Sequence, residues 1–171
     1  MAVITFPDGT RVHARALGAR SVGAAAFGLY AYGRALRRSS RVGARVNRMT
    51  GRALHGGSWI SPWDAEWLHW PDFGVPADGE STAHAIEATF RRAQRGQSVE
   101  VACFGGKGRT GTILACMAVL AGVPADQAVA WVRANYSPKA VERDAQRRWV
   151  EWFASRLDPA THHPADSGRS P

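Results

Sequence analysis

A cysteine and an arginine stand six positions apart in the glycine-rich segment CFGGKGRTG, residues 103–111. The segment lies between a stretch predicted as a buried strand and an apolar stretch predicted as a buried helix. Backbone N–H groups in such a loop form an anion site together with the helix N-terminus. Among these donors Cys103 would be a thiolate nucleophile near neutral pH. Because Arg109 offers two parallel donors that match phosphate oxygens, the spacing predicts attack on a phosphate ester.

Other interpretations of the same glycines fit less well. Gly106, Gly108 and Gly111 satisfy GxGxxG, but a dinucleotide site needs a second strand ending in an acidic residue, and only helices are predicted after this segment. A nucleotide P-loop needs Ser or Thr directly after its lysine, whereas Lys107 is followed by glycine. A strand-end cysteine alone is more often a small buried hydrophobe. The arginine and threonine at fixed offsets favour the phosphate interpretation.

Two motifs resemble those of a known family. The pattern C-x5-R-T at 103–110 resembles the signature of cysteine-based protein tyrosine and dual-specificity phosphatases. WPDFGVP at 70–76 is similar to the mobile loop of that superfamily, whose aspartate is the general acid and is Asp72 here. Looser similarity runs through 132–153, so the resemblance covers about 60–153 and indicates a compact, bacterial-type member.

The resemblance implies roles for individual residues. Cys103 is the nucleophile, Arg109 clamps the phosphate, Asp72 is the general acid and then the base, and the Thr110 hydroxyl donates to the departing sulfur. The expected phosphate-binding loop comprises Phe104, Gly105, Gly106, Lys107 and Gly108. No cofactor or metal is expected, and the histidines show no ligand spacing beyond the adjacent pair His162 and His163.

Four positions leave alternatives open. Family members usually carry His before the nucleophile, where this chain has Ala102, so we expect reduced or shifted activity. Gln146 is either a water-positioning residue or ordinary surface. Cys116 is expected in the core, although a second cysteine protects the nucleophile in some members. Lys107 either enlarges the positive field for phosphoinositides or is a solvent-facing loop residue.

The elements that position these residues follow from hydrophobic periodicity. Their order favours a single-domain α/β phosphatase-like fold, with a central, partly parallel sheet flanked by helices. We expect Ser81 or Thr82 to cap the first helix and Gly96 to end it. The predicted elements are a hairpin around Asp8-Gly9, strands at 26–33, 66–70 and 98–103, and helices at 82–95, 110–122, 124–135 and 139–157.

Length and composition bound the remaining possibilities. The chain has 171 residues, 45% hydrophobic, which suits one domain at 1–157 with a disordered tail at 158–171. Two cysteines and no signal-like start predict a reducing, cytoplasmic location. The longest apolar run, at 112–122, falls short of the roughly 18 residues of a transmembrane helix.

The positive charge is concentrated before residue 60. That part holds ten arginines and one acidic residue, net +9, and seven of the arginines lie in Arg34–Arg52. This segment is predicted as an exposed loop or weak helix with a possible acidic partner. Since it has almost no aromatic residues, specific nucleic-acid binding is disfavoured.

The function expected is therefore dephosphorylation of a phosphorylated protein, through a phosphocysteine intermediate. A phosphoinositide phosphatase is a second interpretation. The rival from another class is a catalytically weak module that binds phosphorylated partners, for which Ala102 would reflect lost selection on turnover.

Overall fold

A mixed sheet of five strands organises the molecule. The computed structural model describes residues 2–17, 25–32, 61 and 63–157. The sheet order is β1-β2-β5-β3-β4, and only the β1–β2 pair is antiparallel. The strands are β1 (Ala2–Thr5), β2 (Arg11–Ala16), β3 (Phe27–Tyr32), β4 (Asp64–His69) and β5 (Val99–Cys103).

The four helices of the described residues pack on one face of this sheet. They are α1 (Gly79–Gln94), α2 (Gly108–Leu120), α3 (Ala125–Asn135) and α4 (Asp144–Arg156). Successive residues of a strand face opposite sides. In β5, Val101 and Cys103 join the helices in the main core, whereas Ala102 packs with Leu17 and Tyr30 on the other face. This architecture confirms the predicted α/β class with a partly parallel sheet.

The central elements follow their predicted character. β5 is buried along its whole length because it lies between β2 and β3 and beneath the helices. Helix α2, apolar on all sides in the sequence, is buried from Gly108 to Ala118. The strand that ends at Cys103 and the helix that begins five residues later are therefore both part of the core.

The N-cap predicted for α1 is wrong. The cap is Asp78, whose carboxylate accepts the Ser81 N–H at 3.0 Å. Ser81 and Thr82 lie inside the helix, and the Thr82 N–H donates to the Asp78 carbonyl. The helix ends as predicted before Gly96, which has a φ of +80°.

Helix α4 begins at Asp144, five residues later than the predicted Lys139. Val141 has a φ of +57°, which no helix accommodates. The Arg133 side chain donates to the carbonyls of Ala140 and Val141, both at 3.0 Å, and holds the turn. Val141 is nevertheless buried. Its apolar side chain indicated burial correctly, but the residue lies in a turn and not in a helix.

Smaller differences concern element ends. β4 starts at Asp64, two residues before its predicted start, and ends at His69, one residue before its predicted end. Helix α2 starts at Gly108, two residues before its predicted start. The basic segment Arg34–Arg52 and the predicted tail at 158–171 lie outside the described residues. Within the described residues, no helix is both long and apolar enough to cross a membrane.

Candidate active site

Cys103 is the last residue of β5 and lies where the chain turns toward α2. Its side chain is 2% exposed, and its Sγ accepts the Gly106 N–H at 3.2 Å. The Leu17 N–H donates to the Cys103 carbonyl at 2.8 Å, which ties this corner to the end of β2. The sulfur thus has a backbone donor held in place by the loop, and α2 begins five residues further along the chain.

The loop conformation depends on a glycine at position 106. Gly106 has a φ of +66°, and a Cβ there would lie 2.6 Å from the Ala16 nitrogen. Its carbonyl accepts the hydroxyl of Tyr136, so partners hold the residue on three sides. Of the remaining predicted phosphate-binding positions, Gly108 is buried, whereas the exposed ones are Phe104, Gly105 and Lys107.

Arg109 joins the loop to the segment after β4. Its buried guanidinium places Nη2 2.8 Å from Asp72 Oδ1, and Nη1 donates to the Trp70 carbonyl at 3.1 Å. The Asp72 side chain is 63% exposed, against 5% for Arg109. The guanidinium also lies 6.0 Å from the Tyr32 ring centroid. The fold therefore brings together the arginine and the aspartate that the sequence motifs singled out.

Hydrogen bonds from Trp70 and Gln146 anchor the segment that carries Asp72. The Gly74 carbonyl accepts the Trp70 indole N–H at 2.8 Å and the Gln146 side-chain amide at 3.4 Å. Phe73 has a φ of +56° and is half exposed, and the Arg143 guanidinium lies 4.8 Å from its ring centroid. These contacts hold the segment over the loop, with its aromatic side chain outward.

Gln146 is fully buried, so its interpretation as ordinary surface is wrong. Its Oε1 accepts the Glu142 N–H at 2.9 Å, and a Cβ on Gly108 would lie 3.1 Å from its Nε2. The apolar face of α4 turns it inward, together with Trp149 and Phe153. Gln146 thus lies between the start of α2 and the Asp72 segment.

Two further candidates lie on α2. The Thr110 hydroxyl is buried and has no hydrogen-bond partner in the described part of the chain. Cys116 is a fully buried free thiol, and burial raises its pKa well above the usual range. Its place in the core cluster agrees with the core interpretation.

Sequence reasoning missed two residues that contact the loop. Tyr136, at the end of α3, bonds to Gly106, and Glu142, in the turn before α4, places its carboxylate against Gly108. Burial and the negative charge of Cys103 raise the pKa of Tyr136. No local pattern could have identified either residue, because both reach the loop only through the packing of α3 and α4 on α2.

Ala102 is fully buried among Leu17 and Tyr30 on the sheet face opposite the helices. A larger side chain there would have to displace one of these two residues. The space around position 102 therefore suits the alanine of this chain and not the histidine that is usual in the family. In the described ranges, no cluster of three or more His, Cys, Asp or Glu residues could hold a metal ion.

Sequence comparisons identify related proteins. Residues 71–152 match a family model described as the DSP-PTPase phosphatase domain of a Swiss Army Knife protein. The uncharacterized protein MJECL20 of Methanocaldococcus jannaschii is 31% identical over 124 residues, which cover 66% of this chain and 82% of the relative. The uncharacterized protein MJ0215 of the same organism is 34% identical over 79 residues, which cover 46% and 48%.

Solved structures share the fold. Tk-PTP in its active form has a TM-score of 0.51 and 20% identity, with 76% of this chain and 79% of that chain covered. Kinase associated phosphatase, with its catalytic-site cysteine replaced by serine, has a TM-score of 0.53 and 17% identity, with 80% and 72% covered. The core catalytic domain of the PP-IP phosphatase SIW14 from S. cerevisiae scores 0.51 at 16% identity, with 78% and 70% covered. At these identities the likeness concerns the fold.

Proposed function

Because this chain belongs to the cysteine-based protein tyrosine and dual-specificity phosphatase superfamily, we propose that it is a metal-independent phosphomonoesterase with Cys103 as its nucleophile. One observation carries the proposal. The Cys103 sulfur accepts a loop N–H at 3.2 Å, while the adjacent Arg109 guanidinium is buried and lies 2.8 Å from Asp72. Nucleophile, oxyanion donors and proton donor are the three parts that phosphate-ester cleavage requires.

In the first step the Cys103 thiolate attacks phosphorus. The new P–S bond forms as the P–O bond to the leaving group breaks. Loop N–H groups and the Arg109 guanidinium hold the three equatorial oxygens, whose charge they stabilise in the transition state. The loop backbone of residues 104–108 supplies these donors in the proposal. Its fixed geometry at Gly106 supports this role because the donors need no reorganisation during the reaction.

Asp72 protonates the departing oxygen in this step. Without substrate, its carboxylate is paired with Arg109. An incoming phosphate would take over the guanidinium, and the released Asp72 carboxylate would take up a proton from solvent, which it then donates to the leaving oxygen. In the second step Asp72 takes a proton from water, and the resulting oxygen attacks the phosphocysteine and releases inorganic phosphate and the thiolate. The unpartnered hydroxyl of Thr110 is available to donate to the departing sulfur.

The water-positioning role of Gln146 stays a prediction. Both ends of its amide are engaged, by the Glu142 N–H and the Gly74 carbonyl. Its contact with the Asp72 segment supports a place in the site. Because a side-chain amide has a second N–H and a second lone pair, water positioning does not require either bond to open.

The substrate class proposed is a phosphorylated protein, with phosphotyrosine or dual specificity. Phe73 and Phe104, next in sequence to Asp72 and Cys103, expose aromatic surface at the mouth of the site, and an aryl leaving group packs well on such surface. The exposed Lys107 in the loop favours a phosphoinositide as the second candidate. A cytoplasmic location and an acidic partner for Arg34–Arg52 stay predictions.

The test is hydrolysis of p-nitrophenyl phosphate by the full chain with a chelator present. We expect turnover in the native protein and none in Cys103→Ser, which keeps its affinity for inorganic phosphate. Cys116→Ala is the matched control, since it removes the other thiol from the core and leaves the loop intact. Turnover in Cys103→Ser would refute the nucleophile assignment. Phosphate binding without turnover in the native chain would favour the binding module.

A further inference from the structure

The Tyr136 side chain, at the C-terminal end of α3, is hydrogen-bonded to the loop that follows Cys103. It caps α3, with its own N–H donating to the Val132 carbonyl at 2.9 Å, so its backbone is fixed by the helix. From there its hydroxyl donates to the Gly106 carbonyl. A loop residue is thus held by a hydrogen bond from a helix 30 residues further along the chain.

Gly106 connects this bond to the nucleophile. Its N–H donates to the Cys103 sulfur, while its carbonyl accepts from Tyr136. On its third side the Ala16 backbone leaves no room for a Cβ. A rotation of Gly106 that moved its N–H away from the sulfur would also break the tyrosine bond. The two hydrogen bonds therefore support the same conformation, in which the sulfur has a fixed backbone donor.

The residue before the nucleophile does not contribute to this arrangement. Ala102 carries only a methyl group, which points to the opposite sheet face among Leu17 and Tyr30. Position 102 therefore supplies no polar side chain to orient the loop. On the opposite side of the loop, α3 supplies a hydroxyl that does contact it.

We propose that Tyr136 is a positioning residue, which keeps the Gly106 N–H on the Cys103 sulfur in a chain whose residue 102 cannot orient the loop. The role rests on the proposed function only in taking Cys103 as the reactive thiol. Burial and the charge of Cys103 raise the pKa of Tyr136, so its hydroxyl keeps its proton and stays a donor at any pH at which the thiolate reacts.

The experiment uses Tyr136→Phe in a Cys116→Ala background, where one thiol remains. Iodoacetamide alkylation of Cys103 is followed from about pH 5 to about pH 9, together with kcat for p-nitrophenyl phosphate. We expect alkylation below neutral pH to slow about three- to tenfold and kcat to fall by a similar factor, since the hydrogen bond from the Gly106 N–H to the sulfur is weakened. The charged groups around the loop, Asp72, Lys107, Arg109 and Glu142, are the same in both proteins.

Tyr30→Phe in the same background is the matched control. It removes a buried hydroxyl that donates to Glu100 on the other sheet face, and it shows what destabilisation alone does. We expect its alkylation profile to match that of the parent even if its melting temperature falls. An unchanged profile in Tyr136→Phe, or the same shift in Tyr30→Phe, would overturn the inference.

The two proposals fail separately. Alkylation reports the state of the thiol without any turnover. If the parent protein hydrolyses no phosphate ester but Tyr136→Phe still shifts the alkylation profile, the proposed function fails and the positioning role stands. If the parent hydrolyses the ester and Tyr136→Phe leaves the alkylation profile unchanged, the proposed function stands and the positioning role fails.

Discussion

The ion pair between Asp72 and Arg109 joins an exposed side chain to a buried one. Water screens the exposed carboxylate, so the pair adds little to stability, whereas the guanidinium is already desolvated. A phosphate dianion carries more charge than the carboxylate and offers two oxygens to the same donors. Substrate binding is therefore expected to displace Asp72 without a large structural cost.

Replacement of Asp72 by Asn tests its role as general acid. For phenyl phosphate we expect kcat to fall about 10²- to 10³-fold, because the leaving phenolate then departs unprotonated. For p-nitrophenyl phosphate the loss should be smaller, since its leaving group is a weaker base. The measurement is kcat for both esters in the variant and in the native chain.

Asp64→Asn is the control for this comparison. Asp64 is exposed at the start of β4, so the same change of charge there should leave both rates within about twofold of the native values. Equal losses for the two esters in Asp72→Asn would contradict proton donation and leave Asp72 with a binding role.

Residue chemistry was predictable where it is local. The nine residues 103–111 contain the proposed nucleophile, the glycines and the arginine, and all lie in one strand-loop-helix unit. The Asp72 segment was found through its own motif. Tyr136, Gln146 and Glu142 reach the same site from α3 and the region that follows it, and only tertiary packing decides which of their atoms face the loop.

At the scale of single elements, hydrophobic periodicity located the helices but misplaced the starts of α1, α2 and α4. The predicted caps of α1, Ser81 and Thr82, are favourable residue types, and so is Asp78, which was not predicted as the cap. Backbone geometry selects Asp78, which has extended dihedral angles, φ −119° and ψ 102°. For α4, Val141 continued the apolar stripe although it belongs to a turn.

The choice of cap can be tested with two single substitutions. Asp78→Ala removes the acceptor of the Ser81 N–H and should lower the free energy of unfolding by about 1 kcal/mol. Ser81→Ala should be neutral or slightly stabilising, because alanine is the better helix former at an exposed position within α1. Urea unfolding at neutral pH measures both. The opposite ranking of the two variants would restore Ser81 as the cap.

On the scale of the whole molecule, a buried polar group ties three strands together. Arg15 Nε lies 2.8 Å from Glu100 Oε2, and the Tyr30 hydroxyl donates to the other carboxylate oxygen at 2.9 Å. The guanidinium also donates to the carbonyls of Ala16 and Leu17, where β2 meets the loop. Separating the partners of such a pair would leave a buried charge without its counter-charge, which is strongly destabilising. The pair therefore favours the one arrangement of the three strands in which its partners meet.

Alkaline pH should destabilise the protein through its buried neutral acids. Burial raises the pKa of Cys116 well above its usual 9.0, and burial also raises the pKa values of Tyr30 and Tyr136. Below the pKa of the unfolded chain both states keep these protons. Above it the unfolded chain loses them and the folded one does not, so the free energy of unfolding falls as pH rises beyond about 8.5.

Urea unfolding at about pH 7.5 and about pH 9.5 measures this loss, which should be smaller in Cys116→Ala because one of the three groups is absent. Cys103 is left in place, and Asp64→Asn serves as a control whose pH dependence in this range should equal that of the native chain. An identical decline in Cys116→Ala would show that the buried thiol does not contribute.

The sequence by itself determined the mixed α/β class, the order of strands and helices, and the loop that joins Cys103 to Arg109. These features depend on periodicity and on residues close together in the chain. Only the tertiary structure decided that Asp72 pairs with Arg109, that Gln146 is buried beneath the loop and that Tyr136 bonds to Gly106. Each of these contacts joins residues 30 or more positions apart, and it exists only because the helices pack on one face of the sheet.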